Sequence, residues 1–406
     1  MDVISTEGTR SPELDAFRAE VAEWFRINKP ADSGFLLPES LMEVGNDQQF
    51  EFLRNWQRKI YEAGYLGMAW PAEYGGGGKP QVYQDIVNAE MARQGVPFVP
   101  NTIGLNWAGP LILAIGTDEV KRRYIPGILS ADDIWCQGFS EPDQGSDLAN
   151  SQTRAVRDGD HYVLNGSKIW TSLGSYAKYM ILLARTDPKA PRYAGLSYFL
   201  VPMHTPGIET RPIRKLTGEY GFTQTFFNDA RIPADCLMGK EGEGWKIAML
   251  TLTFERAVTG GQAGGISRMA QSVDDIVDLA RRSRRDGRPA LDDPWVRDQL
   301  VRFIIEDQGD RLCGARSKVE ALCSERPQAI GLSSKLRRTE HMRRLYQFSL
   351  ALQGANAVRW VGDADAVDGG KWQRAYFNAF SATIGGGTSQ IQANIIGERV
   401  LGLPKD

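Results

Sequence analysis

One acidic side chain stands out because the residues around it are apolar or small. Glu255 is followed by Arg256, and the pair interrupts a run over residues 245–258 that has the spacing of a helix. A carboxylate on a buried helix is costly unless it is paired or does chemistry. Arg256 is a poor partner, because adjacent residues point about 100° apart around a helix. Glu255 is therefore a candidate proton acceptor; an ion pair with an arginine of another helix is the structural alternative.

Three further segments carry groups that bind polar or planar ligands. Phe139–Asp147 combines hydroxyls, glycine and carboxylates after a β-prone run, which suits either a polar ligand or an ordinary capped turn. Lys168–Ser172 sets a tryptophan beside two hydroxyls, which suits a planar cofactor or a half-buried strand tryptophan. Ile384–Gln390 has three glycines before a helix, which suits an anion or a plain hinge.

Other features suggest chemistry that the sequence does not complete. The run Gly75–Gly78 could be mistaken for a phosphate loop, but Pro80 follows Lys79 where such a loop has Ser or Thr. We therefore expect an ordinary loop there. The four cysteines form no C-x-x-C pair, so we expect neither a disulfide framework nor a metal site. We expect the histidines at the surface or in turns: His161, His204 and His341.

The composition is that of an ordinary globular protein. The chain has 406 residues, with 48 Lys and Arg against 50 Asp and Glu, so its net charge is −2 and no basic excess indicates nucleic acid. The first ten residues are polar, and the apolar runs are far shorter than the ~20 residues that span a membrane. We expect a cytoplasmic protein that binds neither nucleic acid nor membrane.

The elements that position these residues follow the order helical, β, helical. Ser11 and Pro12 begin a helix whose apolar stripe continues to Phe25, and two more helical segments end at Gly64 and Gly95. The β-prone runs are residues 135–140, 153–156, 161–164, 179–185, 195–201 and 224–228, separated by turn signals such as Asn165-Gly166. The later helical segments are residues 245–258, 266–283, 294–323, 333–353, 373–379 and 389–401. We predict domains at residues 1–130, 131–242 and 243–406.

Taken together, these segments resemble the acyl-CoA dehydrogenase family. The resemblance extends to Gly67–Gly76 in the first helical region and Gly242–Trp245 at the return to helix. It implies a mostly α fold with an N-terminal helical domain, a small central β-barrel domain and a C-terminal four-helix bundle. It also implies FAD as cofactor, an acyl-CoA substrate, a tetramer, and an electron-transferring flavoprotein as electron acceptor.

The family's reaction assigns roles to individual residues. A carboxylate removes the α-proton of the acyl thioester while the β-hydrogen leaves as hydride to flavin N5, which gives the trans-2-enoyl thioester. By resemblance, Ser140 meets the flavin ring, Trp170 flanks it and Ser172 reaches N5. Ser146 and Arg256 would contact the substrate. The residues that would bind the flavin are Gln137, Phe139, Ser140, Gly145, Trp170, Ser172, Arg284, Thr388 and Gln390.

The sequence departs from the family at the usual position of the base. Most members have a glutamate directly before the Gly-Thr that corresponds to Gly387-Thr388, but this chain has Gly386 there. A minority, similar to isovaleryl- and long-chain acyl-CoA dehydrogenases, take the glutamate from a bundle helix in a Glu-Arg pair. Glu255-Arg256 matches that pattern. We therefore expect Glu255 to be the base and Gly386 to offer its N–H to the thioester oxygen. The missing side chain at 386 suits a branched or bulky acyl group.

A second departure concerns the flavin half-site that subunits share. The family commonly has Arg-x-x-Phe-Gly and Gln-x-x-Gly-Gly-x-Gly, whereas this chain differs in residues 284–287 and 351–357. These stretches resemble bacterial two-component dehydrogenases for dicarboxylic or steroid side-chain acyl-CoA esters. Residues 135–140 resemble the large subunit of the pimeloyl-CoA type. A homotetramer and a heterotetramer with a second subunit both remain open. So do a non-catalytic or half-site subunit and a flavin oxidase or monooxygenase on the same fold.

Overall fold

The computed structural model describes residues 11–40, 42–259, 271–317, 319, 322–323 and 328–404. Within these ranges the side chains of residues 255–259, 328 and 329 lie outside the description. The chain divides into two compact units. Among the described residues, the first unit comprises residues 11–214 and 220–258, and the second comprises residues 215–219, 259 and 271–404.

The first unit begins with helices, as the sequence predicts. Ser11 caps the first helix by accepting the N–H of Leu14, with Pro12 at the first helical position. Gly95 ends the third helix in a left-handed conformation, with φ +59°. The helices are α1 (Pro12–Asn28), α2 (Asp47–Glu62), α3 (Gln81–Gln94), α4 (Gly109–Ile115) and α5 (Asp118–Ser130).

A mixed sheet follows these helices. Its strands are β1 (Trp135–Gly138), β2 (Arg154–Asp158), β3 (His161–Ser172), β4 (Tyr179–Arg185), β5 (Leu196–Pro202), β6 (Ile208–Arg214), β7 (Tyr220–Pro233) and β8 (Leu237–Met238). The strand order is β6-β7-β3-β2-β4-β5-β8, and β1 pairs with β4 in parallel. Successive side chains of β4 and β5 alternate between two cores. Ile181 and Tyr198 pack toward the core of the N-terminal helices, and Met180 and Phe199 pack into a separate core.

Two sequence predictions for the sheet are wrong. The predicted strand over 161–164 continues to Ser172, because β7 pairs along its length and turns the Asn165-Gly166 signal into a bulge. The strand β6 was not predicted; its residues are mostly exposed and include Pro212, so no apolar alternation marks it. In both places pairing with β7 outweighs the local sequence signal.

The unit ends with helix α6 (Gly244–Thr259). Ile247, Ala248 and Thr251 are buried on one side of this helix. The Thr251 hydroxyl donates to the Ile247 carbonyl, and its oxygen lies 3.0 Å from the Tyr198 hydroxyl of β5. This face therefore packs against the sheet of the same unit.

The second unit is helical with one short hairpin. Its elements are α7 (Val273–Arg282), β9 (Arg284–Arg285), β10 (Arg288–Pro289), α8 (Pro294–Arg316), α9 (Gln328–Gln353), α10 (Lys371–Ala382) and α11 (Ser389–Ile396). A capping box at Ser272 and Asp275 begins α7, so the predicted helix over 266–283 starts later among the described residues; residues 266–270 lie outside them. Helix α8 ends at Arg316 rather than continuing to 323. Apolar residues of α7 to α10 form one core, with Leu300, Leu345 and Trp372 near its centre.

Three further sequence predictions concern the Gly75–Gly78 loop, His341 and membrane-spanning helices. The N–H groups of Gly76, Gly77, Gly78 and Lys79 all donate to backbone carbonyls of residues 67–71, so this loop has none of them left to cradle a phosphate, as expected. The expectation for His341 is wrong. This residue is buried on α9, where Nδ1 lies 2.7 Å from the Glu306 carboxylate. No helix among the described residues is long and apolar enough to cross a membrane.

Candidate functional site

The turn after β1 holds several of the predicted flavin and substrate residues. Phe139 is buried and Ser140 is partly buried, and the Ser140 carbonyl accepts the N–H of Ile169 at 2.9 Å. Gly145 and Ser146 are exposed at the tip of the turn. The hydrogen bond to Ile169 places this turn directly beside the segment that carries Trp170. The structure thus brings two of the predicted motifs together within the first unit.

A buried ion pair, which the sequence analysis missed, fixes the two motifs to each other. The Lys168 ammonium, fully buried, donates to Glu141 Oε1 at 2.8 Å and to the Phe139 carbonyl at 2.9 Å. The Glu141 carboxylate also accepts the N–H groups of Gln152 and Thr153, at 2.6 and 2.8 Å. Both charges lie in motifs that the sequence analysis quoted. The signal available was a lysine at an inward-facing strand position, which requires a buried partner.

Burial and pairing act on the two pKa values in known directions. Burial alone would raise the pKa of Glu141, but the charge and hydrogen bond of Lys168 and two backbone N–H groups lower it below its ordinary value. Burial lowers the pKa of Lys168, and the Glu141 carboxylate partly offsets that effect. We take both groups to be charged, because each satisfies the other.

Trp170 occupies an unusual place in β3. The register with β7 shifts between Lys168 and Thr171, and Trp170 lies in this bulge with φ +59°. A left-handed conformation is strained for a residue with a large side chain. The indole is 57% exposed and makes an edge contact with the ring of Phe222, with centroids 6.1 Å apart. The alternative of a half-buried strand tryptophan therefore does not describe it; the strand presents a flat ring to the outside.

A buried hydroxyl, a cavity and an amide nitrogen with no partner among the described residues are further features of the first unit. Ser172, two residues after Trp170, is buried at the end of β3. A cavity of about 310 Å³ begins at the next residue and is lined by Gly174, Tyr176 and Phe222 among others. On β1, the Gln137 Nε2 atom is buried and has no hydrogen-bond partner among the described residues. A buried amide without a partner calls for an additional acceptor, which a bound ligand can provide.

The predicted base lies on α6, but its side chain is outside the described residues. Residue 255 is in the last turns of the helix, four positions after the buried Thr251. The same holds for Arg256, whose side chain is also outside the description. Sequence spacing thus puts position 255 on the stripe of α6 that carries buried residues.

The glycine segment before α11 forms a left-handed turn in the second unit. Gly386 has φ +66° and Gly387 has φ +91°. Among the described residues, the N–H groups of Gly386 and Gly387 donate to no acceptor. Thr388 caps α11, because its hydroxyl oxygen accepts the N–H of Ile391 at 3.2 Å, while Gln390 is exposed in the first helical turn. The turn therefore offers free backbone donors at an exposed position.

The residues of the predicted shared half-site have partners within the second unit. Arg284 donates to the carbonyl of Gly287, which closes the β9–β10 hairpin. The Gln353 side chain donates to the Ser349 carbonyl and accepts the amide of Gln373 at 3.0 Å. Gln353 occupies the glutamine position of the Gln-x-x-Gly-Gly-x-Gly motif, from which this chain departs. Its side-chain amide makes these internal hydrogen bonds.

Comparisons with known proteins agree with this organisation. The acyl-CoA dehydrogenase N-terminal domain matches residues 37–132, the middle domain matches residues 136–230, and the C-terminal domain matches residues 242–401. Acyl-CoA dehydrogenase IpdE1 of Mycobacterium tuberculosis is 38% identical over 396 residues, which cover 97% of this chain and 99% of that protein.

Solved structures of acyl-CoA dehydrogenases are also similar to this chain. The Tcur3481-Tcur3483 steroid ACAD aligns with a TM-score of 0.81 at 31% identity, over 98% of this chain and 99% of that chain. The ChsE4-ChsE5 complex from Mycobacterium tuberculosis aligns with a TM-score of 0.74 at 29% identity, over 98% of this chain and 100% of that chain. These matches extend over almost the whole chain.

Proposed function

Because this chain belongs to the acyl-CoA dehydrogenase family and is an oxidoreductase of that class, we propose that it converts an acyl-CoA thioester to the trans-2-enoyl-CoA, with Glu255 as base and FAD as cofactor. The observation that carries this proposal is the left-handed turn at Gly386, whose N–H is exposed and has no acceptor among the described residues. The chemistry explains why such a donor matters.

The α-proton of a thioester is too weakly acidic for a carboxylate to remove unaided. Removal becomes feasible when a fixed donor meets the negative charge that develops on the thioester oxygen. The Gly386 N–H supplies such a donor. No side chain at position 386 competes for the space, which supports a bulky acyl group.

Glu255 is the proposed base for two reasons. Position 386 cannot take a proton, and Glu255-Arg256 is the Glu-Arg pair of the helix-base minority. Position 255 follows Thr251 by four residues, so the helix puts both positions on one face, and partial desolvation there would raise the proton affinity of a carboxylate. Arg256, the next residue, is proposed to contact the substrate.

The residues of the first unit fit a flavin. Trp170 presents an exposed ring, Ser172 and Ser140 supply hydroxyls, and Gln137 has an amide nitrogen with no partner in the described part of the chain. FAD, when bound, accepts the β-hydrogen of the substrate as a hydride. We propose that these four residues, with Phe139 and Gly145, hold its ring system, that Arg284, Thr388 and Gln390 contact its remaining parts, and that Ser146 contacts CoA. An electron-transferring flavoprotein is the proposed acceptor.

The acyl group is proposed to be large and to contain a ring. One solved relative with 31% identity over nearly the whole chain is described as a steroid ACAD. The absence of a side chain at position 386 agrees with such a substrate. A preference for short, straight acyl chains would contradict this part of the proposal.

A second chain of related fold is the proposed partner. Two solved relatives are described by pairs of chain names, and in this chain the amide of Gln353 is used internally instead of remaining free for a shared flavin. These paired chain names favour a heterotetramer. This chain is then either its catalytic subunit or a half-site subunit.

The test is anaerobic bleaching of the bound flavin. A panel of saturated acyl-CoA esters, from short straight chains to steroid side-chain esters, is added to the yellow protein, purified alone and together with its partner. We expect bleaching by bulky esters. Glu255→Gln should keep the flavin spectrum but bleach at least ~10⁴-fold more slowly, because the base is lost. Glu119→Gln, an exposed helical carboxylate, is the matched control.

The outcomes separate the readings. A protein that bleaches equally well as Glu255→Gln has a different base. A protein that never binds FAD, alone or with a partner, is a non-catalytic subunit. Anaerobic bleaching followed by rapid return of the colour when oxygen is admitted, with hydrogen peroxide as product, indicates an oxidase, and a flavin that only a reduced nicotinamide bleaches indicates a monooxygenase.

A further inference from the structure

We propose that Lys335 and Gln392 are positioning residues that hold the Gly386–Gly387 turn so that the Gly386 N–H points at the thioester oxygen. The proposal rests on the proposed function, since it adds the residues that fix the donor named there. It uses only contacts within the second unit.

Lys335 reaches the turn from α9. Its side chain is buried, with 5% of the residue exposed, and the ammonium donates to the Gly387 carbonyl at 2.6 Å. A buried lysine is rare and needs strong hydrogen bonds. A charged donor makes a bond roughly twice as strong as a neutral one. Lys335 therefore fixes the carbonyl of Gly387, the residue after the one that carries the proposed donor.

Gln392 reaches the turn from α11. Its side-chain nitrogen donates to the Gly386 carbonyl at 2.9 Å, and the residue is 1% exposed. A Cβ atom at Gly387 would lie 2.8 Å from the same nitrogen, so the glutamine is packed directly against the turn. Two successive carbonyls of the turn are thus each held by a buried side chain from a different helix.

Two glycines in sequence need such support. Glycine has more backbone freedom than any other residue, so an unsupported diglycine turn would sample many orientations of its N–H groups. A donor stabilises a developing charge efficiently only when its direction is fixed before the reaction. Lys335 and Gln392 bind the two carbonyls, while the N–H groups of Gly386 and Gly387 have no acceptor among the described residues.

Neighbouring groups hold the end of the turn but do not reach its carbonyls. Thr388 caps α11, and the Ser389 hydroxyl donates to Glu340 at 2.6 Å. These contacts anchor the helix that follows. Lys335 and Gln392 hold the Gly387 and Gly386 carbonyls, so they restrain the turn on the C-terminal side of the Gly386 N–H.

The first test needs no substrate. Backbone hydrogen exchange is measured for the hydrogen-bonded amides on either side of the turn, those of Gly385 and Ser389, in the wild type, Lys335→Met, Lys335→Arg and Gln392→Leu. Ser349→Ala, which removes a fully buried hydroxyl from the same helix α9, is the matched control. We expect at least ~10-fold faster exchange in Lys335→Met and Gln392→Leu, and near-normal exchange in Lys335→Arg and Ser349→Ala. Unchanged exchange in both Lys335→Met and Gln392→Leu overturns the proposal.

The second test measures how strongly the proposed donor polarises the carbonyl of a bound thioester. The carbonyl stretching frequency of a ¹³C=O-labelled enoyl-CoA, the product of the best ester in the panel, is measured when bound to each variant. We expect Lys335→Met to move it toward the value in water and to lower kcat on the order of 10-fold with KM nearly unchanged, and Lys335→Arg to restore both in part.

The outcomes distinguish this proposal from the proposed function. A wild type that dehydrogenates its substrate, with the carbonyl frequency and kcat unchanged in Lys335→Met, overturns the positioning role alone. A wild type that neither bleaches nor shifts the carbonyl frequency overturns both. If Lys335→Met does not fold, Gln392→Leu and Lys335→Arg decide by the same measurements.

Discussion

At the scale of single residues, Lys168 and Glu141 show what the sequence could and could not reveal. The sequence indicates both motifs that contain these residues and, by resemblance, the flavin-binding residues around them. It did not pair the two charges, because they lie 27 positions apart and nothing in the local pattern indicates which partner a buried lysine takes. The pairing depends on the fold, which brings the turn after β1 against β3.

Removing Lys168 should be strongly destabilising. Lys168→Met leaves the Glu141 carboxylate buried with only backbone N–H partners, which costs about 3–5 kcal/mol of unfolding free energy. Urea unfolding at neutral pH measures the loss. The double variant with Glu141→Gln should recover part of it, because no unpaired charge remains. A loss below about 1 kcal/mol in Lys168→Met would mean that the pair does not hold the turn.

Asp368 gives the second unit a pH-dependent contribution. Two bonds from Arg282, at 2.9 Å each, lower the pKa of Asp368 to about 2, with the Trp372 indole N–H adding to the effect against burial. The folded state therefore holds fewer protons than the unfolded state between pH ~4 and ~2. The stabilisation is complete above that window and is lost as the pH falls through it.

Asp368→Asn tests this contribution. Asparagine tolerates the left-handed backbone of residue 368, which has φ +50°, so the substitution changes mainly the charge. We expect a loss of about 1 kcal/mol at pH 7, because partial exposure to water weakens the pair. The difference from wild type should shrink between pH 4 and pH 2. A difference that is constant with pH would assign the effect to packing.

At the scale of elements, β3 shows why local signals fail in sheets. Asn165-Gly166 is a strong turn signal, yet the strand continues through it because β7 pairs on both sides. The helices followed the sequence better, since caps such as Ser11 and Gly95 act locally. Strand bounds depend on partners that lie far along the chain, so the sequence predicted β4 well and missed β6.

The bulge in β3 predicts a separation of stability from cofactor binding. Trp170→Ala removes an exposed ring, so the free energy of unfolding should change by less than about 1 kcal/mol. The affinity for FAD should fall by ~10-fold or more, because the stacking surface is lost. Equilibrium titration with FAD measures the second effect. Tyr193→Ala, which removes another exposed ring of the same unit, should leave the affinity unchanged.

At the scale of the whole molecule, the order of helical and β regions was easier to predict than which residues are free to bind the flavin. The sequence indicated helices, then strands, then helices, and the acyl-CoA dehydrogenase fold is confirmed. It did not reveal that Gln353 is bonded to Gln373 and Ser349, since such contacts depend on packing between α9 and α10. The internal bonds of Gln353 predict that one chain alone forms an incomplete flavin site.

The number of FAD molecules bound per chain tests whether one chain forms a complete flavin site. We expect the chain purified alone to hold clearly less than one FAD per chain, and the chain co-purified with a second acyl-CoA dehydrogenase-like subunit to hold more, because Gln353 is not free to bind a neighbour's flavin. Absorbance at the flavin band, referred to protein concentration, measures the ratio. Full occupancy of the chain alone, as a stable homotetramer, would exclude the need for a second subunit.

The left-handed turn at position 386 also limits how this enzyme can change over evolutionary time. A glutamate placed there would have to adopt φ +66°, at a cost of about 1–2 kcal/mol for a residue with a side chain. In the proposed mechanism, moving the acid from α6 to position 386 would need at least two replacements. An intermediate that gains the second acid first would keep Glu255 and bear the cost of the strained turn, and one that loses Glu255 first would have no base.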